Sequence, residues 1–244
     1  GFGISCRICV LRLKSRDRRN LKVMQKRNYQ KELDRILENL EAGGRRPRLL
    51  LHSCCGPCSS YVLEYLSGYF DIVLFYFNPN IDPPEEYEQR AGEQKRLIEA
   101  MREKGDLKGP VQFVRGTYLP ARFYEAVKGH EMDREGGERC WICFRLRLQE
   151  AALAAKEYRC DYFTTTLSIS PLKNAEKLNE IGTRIGKENG VEYLVSDFKK
   201  RNGYKRSTEL SAKYDLYRQD YCGCVFSKRE RMKQQKNLVS ESAD

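Results

Sequence analysis

Seven of the ten cysteines fall in three tight groups: Cys54-Cys55-Gly56-Pro57-Cys58, Cys140-Trp141-Ile142-Cys143 and Cys222-Gly223-Cys224. Thiols one to three residues apart let a single turn supply two ligands to a metal. The groups are far apart along the chain, so they serve one another only if the fold gathers them. A tetrahedral ion or a cubane iron–sulfur cluster uses four thiolates. Seven exceed one such site, which predicts a cluster with something beside it and suits a redox enzyme.

Each group has a competing reading. Cys55-Gly56-Pro57-Cys58, set after a strand and opening a helix, spells a thioredoxin-type redox motif, whose helix N-terminus would lower a thiolate's pKa. Against that, Cys54 stands where thioredoxins usually carry tryptophan, and their shorter fold has no use for two further cysteine groups. Cys140 and Cys143, three apart at a helix start, place both sulfurs on one face; the alternative is a buried apolar pair. The flanking charges Glu138, Arg139, Arg145 and Arg147 argue against a deep core position. Cys222 and Cys224 reach one metal only if the backbone bends at Gly223; otherwise one is a ligand and its neighbour idle.

The elements that would position these groups follow from periodicity. Leu33, Ile36, Leu37 and Leu40 form one face of a helix from Tyr29, ended by Gly43-Gly44. Strands are predicted over Arg48–His52, Asp71–Phe77, Val111–Val114, Tyr162–Thr166 and Val191–Val195. Helices are predicted after Pro57, from near Pro84, over Pro120–Val127, from near Cys140, over Ala175–Glu188 and over Ser207–Arg218. Strands alternating with helices imply an α/β fold of Rossmann-like type, a parallel sheet with helices on both faces and added C-terminal helices. Ligands bind such sheets beyond the carboxyl ends of the strands. Cys54-Cys55, Asn78-Pro79-Asn80, Thr164-Thr165-Thr166 and Ser196-Asp197 all follow strands and are expected on one rim.

At 244 residues the chain is long enough for a large core. Its net charge is +11, yet residues 1–27 hold nine basic residues and one acid, so most of the excess sits there. That leader is either a basic arm for nucleic acid or sequence outside the folded protein, and the second is preferred; its Cys6 and Cys9 are not counted as ligands. The expected division is a leader over 1–27, a catalytic domain over 28–227 and a charged, flexible tail over 228–244. No apolar run suits a signal peptide or a membrane span, which points to the reducing cytoplasm, where close-set thiols bind metals or do redox work. Lys199, Lys200, Arg201, Lys205 and Arg206 surround Tyr204 without an acid among them. A basic loop holding one aromatic suits a phosphate backbone and an unstacked base; a solvated charged loop is the plain alternative. His52 closes the first strand and is either support for the site or simply core.

Together these residues resemble the QueH-type epoxyqueuosine reductases. The resemblance runs from about Tyr29 to Ser227. It takes in His52-Ser53-Cys54-Cys55-Gly56-Pro57-Cys58, Asn78-Pro79-Asn80-Ile81 with Glu86-Tyr87, and Glu138-Arg139-Cys140 with Cys143-Phe144. It continues through Thr164-Thr165-Thr166-Leu167, Ile169-Ser170-Pro171 and Lys173-Asn174, then Ser196-Asp197-Phe198-Lys199-Lys200. It closes with Gly203-Tyr204, Arg206-Ser207, Leu216-Tyr217-Arg218-Gln219 and Tyr221-Cys222-Gly223-Cys224. Residues 1–27 and Cys160 fall outside it.

The resemblance implies reduction of the epoxide of epoxyqueuosine to queuosine at the wobble base of a tRNA anticodon stem-loop. It implies a 4Fe–4S cluster with a mononuclear iron close by, no cobalamin, and a small electron-transfer protein as donor. The implied fold is of the HUP, ATP-pyrophosphatase-like type, with the thiol-rich turn in place of a phosphate loop, so ATP is not expected. On this basis Cys54, Cys55, Cys140 and Cys143 are assigned to the cluster, with Cys58 as an alternative ligand. Cys222, Cys224 and Asp197 are assigned to the iron and the chemistry, with Asp82 as Asp197's competitor. Asn78, Asn80, Lys199, Lys200, Tyr204 and Arg206 are expected to meet the substrate, and Tyr221 and Arg218 to support the site. The rival function is a thioredoxin-like thiol oxidoreductase or a zinc-stabilised nucleic-acid-binding module.

Overall fold

The computed structural model describes residues 27–241; the basic leader up to residue 26, with Cys6 and Cys9, lies outside them. Helix α1 (Tyr29–Ala42) is followed by β1 (Arg48–His52), α2 (Gly56–Leu66), β2 (Asp71–Tyr76), α3 (Pro84–Glu103) and β3 (Val111–Arg115). Then come α4 (Pro120–Ala126), α5 (Glu138–Glu157), β4 (Tyr162–Thr165), a 3-10 turn (Thr166–Ile169), α6 (Ala175–Asn189) and β5 (Glu192–Tyr193). Helices α7 (Gly203–Lys213) and α8 (Val225–Glu241) complete the described chain. The five strands form one sheet in the order β3-β2-β1-β4-β5, with every pairing parallel.

The apolar run of β1 feeds both faces of this sheet, as a buried parallel strand requires. Leu49 and Leu51 join a core with Leu33, Leu37 and Leu40 of α1, Leu63 and Leu66 of α2, Leu97 and Met101 of α3, and Leu210 of α7. Leu50, with Val73 and Phe75 of β2, packs on the other side against Phe144, Leu148 and Ala151 of α5 and Leu178, Ile181 and Ile185 of α6. Each fully buried Leu contributes about 2 kcal/mol by removal from water, so the alternation of β1 fixes its own register.

The strand order reverses at β1: β2 and β3 lie to one side, β4 and β5 to the other. Ligand sites of open α/β sheets occupy the crevice at such a reversal, beyond the carboxyl ends. Cys54 follows β1 there, and its backbone N–H donates to Thr166 Oγ1, 3.4 Å away, just past β4.

Three elements differ from the sequence expectation. Strand β5 pairs over Glu192–Tyr193 alone, because the chain turns away to Ser196, whose N–H and carbonyl are both held by the Asn179 side chain of α6. Helix α7 opens four residues early, at Gly203, behind Asn202 in the left-handed conformation (φ 60°). A Cβ at Gly203 would stand 1.9 Å from the Phe198 carbonyl oxygen and 2.5 Å from the Tyr61 ring, so only glycine lets α7 lie this close to α2. Residues 225–241 form α8 where a charged tail is expected. Among the described residues, no helix is long and apolar enough to cross a membrane.

Candidate active site

The turn after β1 is held from behind. Ser53 and Ser59 hydroxyls both donate to Oε1 of the fully buried Gln94 of α3, at 2.6 and 2.7 Å. Asn78 donates to the Ser53 carbonyl at 2.9 Å. His52 is fully buried, its Nδ1 2.8 Å from Thr165 Oγ1 and its Nε2 3.0 Å from the Phe77 carbonyl oxygen. A carbonyl only accepts, so Nε2 carries the hydrogen and Nδ1 accepts from Thr165. Burial, with Arg147 close by, pushes the His52 pKa down to about 3, so the ring is neutral. It is a spacer between strand ends.

This turn brings the sulfurs of Cys54, Cys55 and Cys58 within 4.8 Å of one another, at the N-terminus of α2. Three thiolates bound at ~2.3 Å around a tetrahedral ion stand ~3.8 Å apart, and Cys54 Sγ is 3.7 Å from Cys55 Sγ. Hydrogen bonds from Cys55 and Cys58 hold the Cys54 thiol well below its usual pKa. Hydrogen bonding to Cys54 and burial push Cys55 up to about 12 and Cys58 well above its ordinary value. In a thioredoxin-type pair the first cysteine is the exposed thiolate; here Cys55 is only 3% exposed and protonated. The donor set suits a metal with three protein ligands and an open fourth position.

The other four sulfurs form a second group. Cys140, Cys143, Cys222 and Cys224 line one enclosed space together with Asn80, Glu135 and Lys173. Gly136 N–H donates to Cys140 Sγ at 3.2 Å. Gly223 takes φ +111°, and a Cβ there would meet Ile81 at 2.9 Å and Arg90 at 3.0 Å. That bend presents both flanking sulfurs, as the spacing requires. Arg139 clasps the arrangement: it donates to the Glu131 carbonyl at 2.9 Å and to Glu230 of α8 at 2.8 Å, and lies over the Phe226 ring.

The two groups meet at Cys222. It also lines a cavity of about 400 Å³ with Cys54, Cys55, Cys58, Glu135, Lys173, Tyr204, Arg218 and Tyr221. Arg147 links them from inside. It is 1% exposed, and Nη2 donates to Asn78 Oδ1 at 2.5 Å. Its Nε lies 3.4 Å from His52 Nε2, which already donates elsewhere, and Nη1 has no partner among the described residues. Among the described residues no carboxylate balances this buried guanidinium; the groups set against it are the sulfurs of Cys143, Cys54 and Cys222. A buried cation without a counter-ion is costly, so Arg147 calls for anionic sulfur, which a thiolate-bound metal supplies.

This grouping differs from the ligand partition expected from sequence. Cys54 and Cys55 stand with Cys58, and Cys140 and Cys143 with Cys222 and Cys224. Asp197 lines a separate cavity with Lys199, Lys200 and Pro171–Ala175, and pairs with Lys199. Asp82 accepts from the Tyr124 hydroxyl at 2.9 Å. The carboxylate that lines both thiol spaces is Glu135, 2.6 Å from Lys173 Nζ. Asn78 is engaged by Ser53 and Arg147, while Asn80 faces the four-sulfur group with Oδ1 unpartnered among the described residues. Arg206 is held by Glu64 and Glu209, Lys199 donates to the Ser168 carbonyl, Lys200 is exposed, and Tyr204 lines the cavity at 44% exposure.

Sequence reading passed over Glu135, Lys173, Arg90 and Arg147. Arg147 left a signal: it follows Cys143 by one helical turn on the face that carries Cys140. The charges flanking Cys140 do not keep this helix face out of the interior, since Arg139 and Arg147 are 2% and 1% exposed. They are buried because sulfur and carbonyl groups receive them.

One outcome follows for metal loading. Burial also raises the thiols of Cys140, Cys143 and Cys224, the last two to about 11 and about 12. Thiols protonated at neutral pH must lose their protons to bind, so affinity rises with pH and metal is lost as pH falls. Titrating the metal-free protein with Zn²⁺ in weak buffer at pH 7 should release about two to four protons per ion. Release below one proton per ion would mean the thiolates are already formed.

Fold and site define a Rossmann-like α/β protein with a multi-thiol cavity suited to a metal at the sheet's reversal point. Residues 49–230 match the family profile described as epoxyqueuosine reductase QueH. A protein of that name from Staphylococcus epidermidis is 44% identical over 205 residues, 83% of this chain and 85% of the relative. Others are from Streptococcus pyogenes (41% over 208 residues, 85% and 81%) and Thermotoga maritima (34% over 186 residues, 75% and 91%). The chain belongs to the QueH epoxyqueuosine reductase family.

Proposed function

We propose that this protein reduces the epoxide of epoxyqueuosine to queuosine at the wobble position of a tRNA anticodon, without cobalamin or ATP, in the cytoplasm. The reaction removes the epoxide oxygen as water and consumes two electrons and two protons, supplied by a small electron-transfer protein and by solvent. The observation that carries this reading is the gathering of seven sulfurs along two adjoining spaces that share Cys222, one of them at the sheet's reversal point.

The donor groups support a division of labour. Cys140, Cys143, Cys222 and Cys224 would hold a 4Fe–4S cluster, and Cys54, Cys55 and Cys58 a single iron; this replaces the partition expected from sequence. When bound, the cluster supplies electrons one at a time and the iron a Lewis acid beside the epoxide.

The protein's own groups do the rest. Arg147 and Arg90 set positive charge against the sulfurs. Lys173 is 7% exposed, and although burial opposes it, its pairing with Glu135 keeps its ammonium protonated. It therefore presents a hydrogen-bond donor to the cavity from Nζ, with Glu135 Oε1 holding its direction. Leu167 and Ile169, buried in the wall, exclude water from one side.

Anaerobically reconstituted protein, given epoxyqueuosine-containing tRNA and a chemical reductant, should yield queuosine in nucleoside digests analysed by mass spectrometry. Iron-loaded protein that leaves the epoxide intact under these conditions would overturn the reading. A colourless protein that takes up only zinc would favour a zinc-stabilised module.

A further inference from the structure

The sulfurs are recessed in a cavity that suits one small-molecule-sized ligand. If the substrate is a tRNA, as proposed above, the modified nucleotide must leave its stack to reach them. Something must then fill the gap it leaves and hold its neighbours.

Eight large hydrophobic side chains are exposed among the described residues, and only Leu172 and Tyr204 line the thiol cavity. Leu172 is 71% exposed, at the tip of the loop between the 3-10 turn and α6. It also lines the neighbouring cavity that carries Lys199 and Lys200, so it stands on the ridge between the thiols and a basic surface. The tip is rigid. Leu172 N–H donates to Ser170 Oγ at 3.3 Å and Lys173 N–H to the Ser170 carbonyl at 3.1 Å. Lys173 anchors the loop inward through Glu135, and Asn174 caps α6 through the Lys177 N–H at 3.0 Å. An exposed leucine on a braced tip gains nothing for the fold. Tyr204 sits on the first turn of α7, a separate element, with its ring partly open to solvent.

We propose that Leu172 is a wedge that enters the anticodon loop in the place vacated by the wobble nucleotide, and that Tyr204 is the aromatic platform for an adjoining base. Apolar wedges part stacked bases in this way, and aromatic rings accept any base face. Lys200, exposed beyond Leu172, takes a phosphate that follows. The pair thereby sets which nucleotide of the loop is delivered to the sulfurs.

The test uses reconstituted protein without reductant and an anticodon stem-loop carrying epoxyqueuosine, with 2-aminopurine as its 3′ neighbour. Binding by the wild type should raise 2-aminopurine fluorescence several-fold as the stack opens. Leu172→Ala should cut that rise to under about a third and, once a chemical reductant is added, lower kcat/KM on the stem-loop by about tenfold, while Leu172→Met retains most of both. Tyr204→Ala should weaken stem-loop binding by about tenfold and Tyr204→Phe keep it; unchanged binding by Tyr204→Ala overturns the platform. Iron content equal to wild type in each variant confirms that the exposed side chains left the fold intact. A full rise with Leu172→Ala, or wild-type binding without any rise, overturns the wedge alone. No binding of the stem-loop by the wild type overturns both the wedge and the tRNA reading.

Discussion

Cys55→Ala should leave the cluster's broad visible absorbance and its inorganic sulfide in place, yet lower queuosine formation by about a thousandfold or more. Cys55 stands within the Cys54–Cys58 group, and it does not line the enclosed four-sulfur space. Removing one of three ligands from a single-ion site leaves two, too few for a stable catalytic centre. Iron and sulfide analysis beside single-turnover assays separates the cases. Cys143→Ala, by contrast, should abolish absorbance and activity together. If Cys55→Ala bleaches the protein as fully as Cys143→Ala does, the cluster spans both groups and the partition expected from sequence returns.

Arg147→Met should destabilise the metal-loaded protein by about 3–5 kcal/mol, because it removes a buried cation that faces both sulfur groups from the interior. For a chain of this length that is a fall in melting temperature of about 10 °C. In the metal-free protein the same change should cost far less, since the guanidinium there lacks a carboxylate and has Nη1 unpartnered among the described residues. The loss of Asn78's donor is common to both states and cancels in the difference. A more negative cluster potential is expected alongside, since a nearby positive charge favours the reduced form. Calorimetry on loaded and metal-free samples decides it: equal losses in the two states would mean that Arg147 braces α5 without serving the metals.

Much of the scaffold was open to reading because its signals are local. The apolar run of β1, Pro57 at the start of α2 and the four-residue rhythm of α1 each state an element without reference to the rest of the chain. The place of Cys54 and Cys55 followed from one rule about strand ends. What stayed hidden depends on contacts across the fold. The pairing of Cys222 and Cys224 with Cys140 and Cys143 is made by Arg139 reaching Glu230, which no spacing announces. Helix α8 escaped because its apolar residues, Val225, Phe226 and Met232 among them, are sparse in a run of charged and polar side chains. The basic run around Tyr204 looks uniform in sequence, but Arg206 is neutralised by Glu64 from α2 and Lys199 by its near neighbour Asp197, leaving Lys200 exposed.

The Arg139–Glu230 clasp also orders events in time. Both halves of the sheet, together with Cys140 and Cys143, precede Cys222, Cys224 and α8 along the chain. A nascent polypeptide that condenses from its amino-terminal side holds its first five thiols in place before the remaining pair has left the ribosome. The four-sulfur space is therefore completed last, when α8 packs against the loop before α5, and a metal taken up there would enter after the sheet has formed.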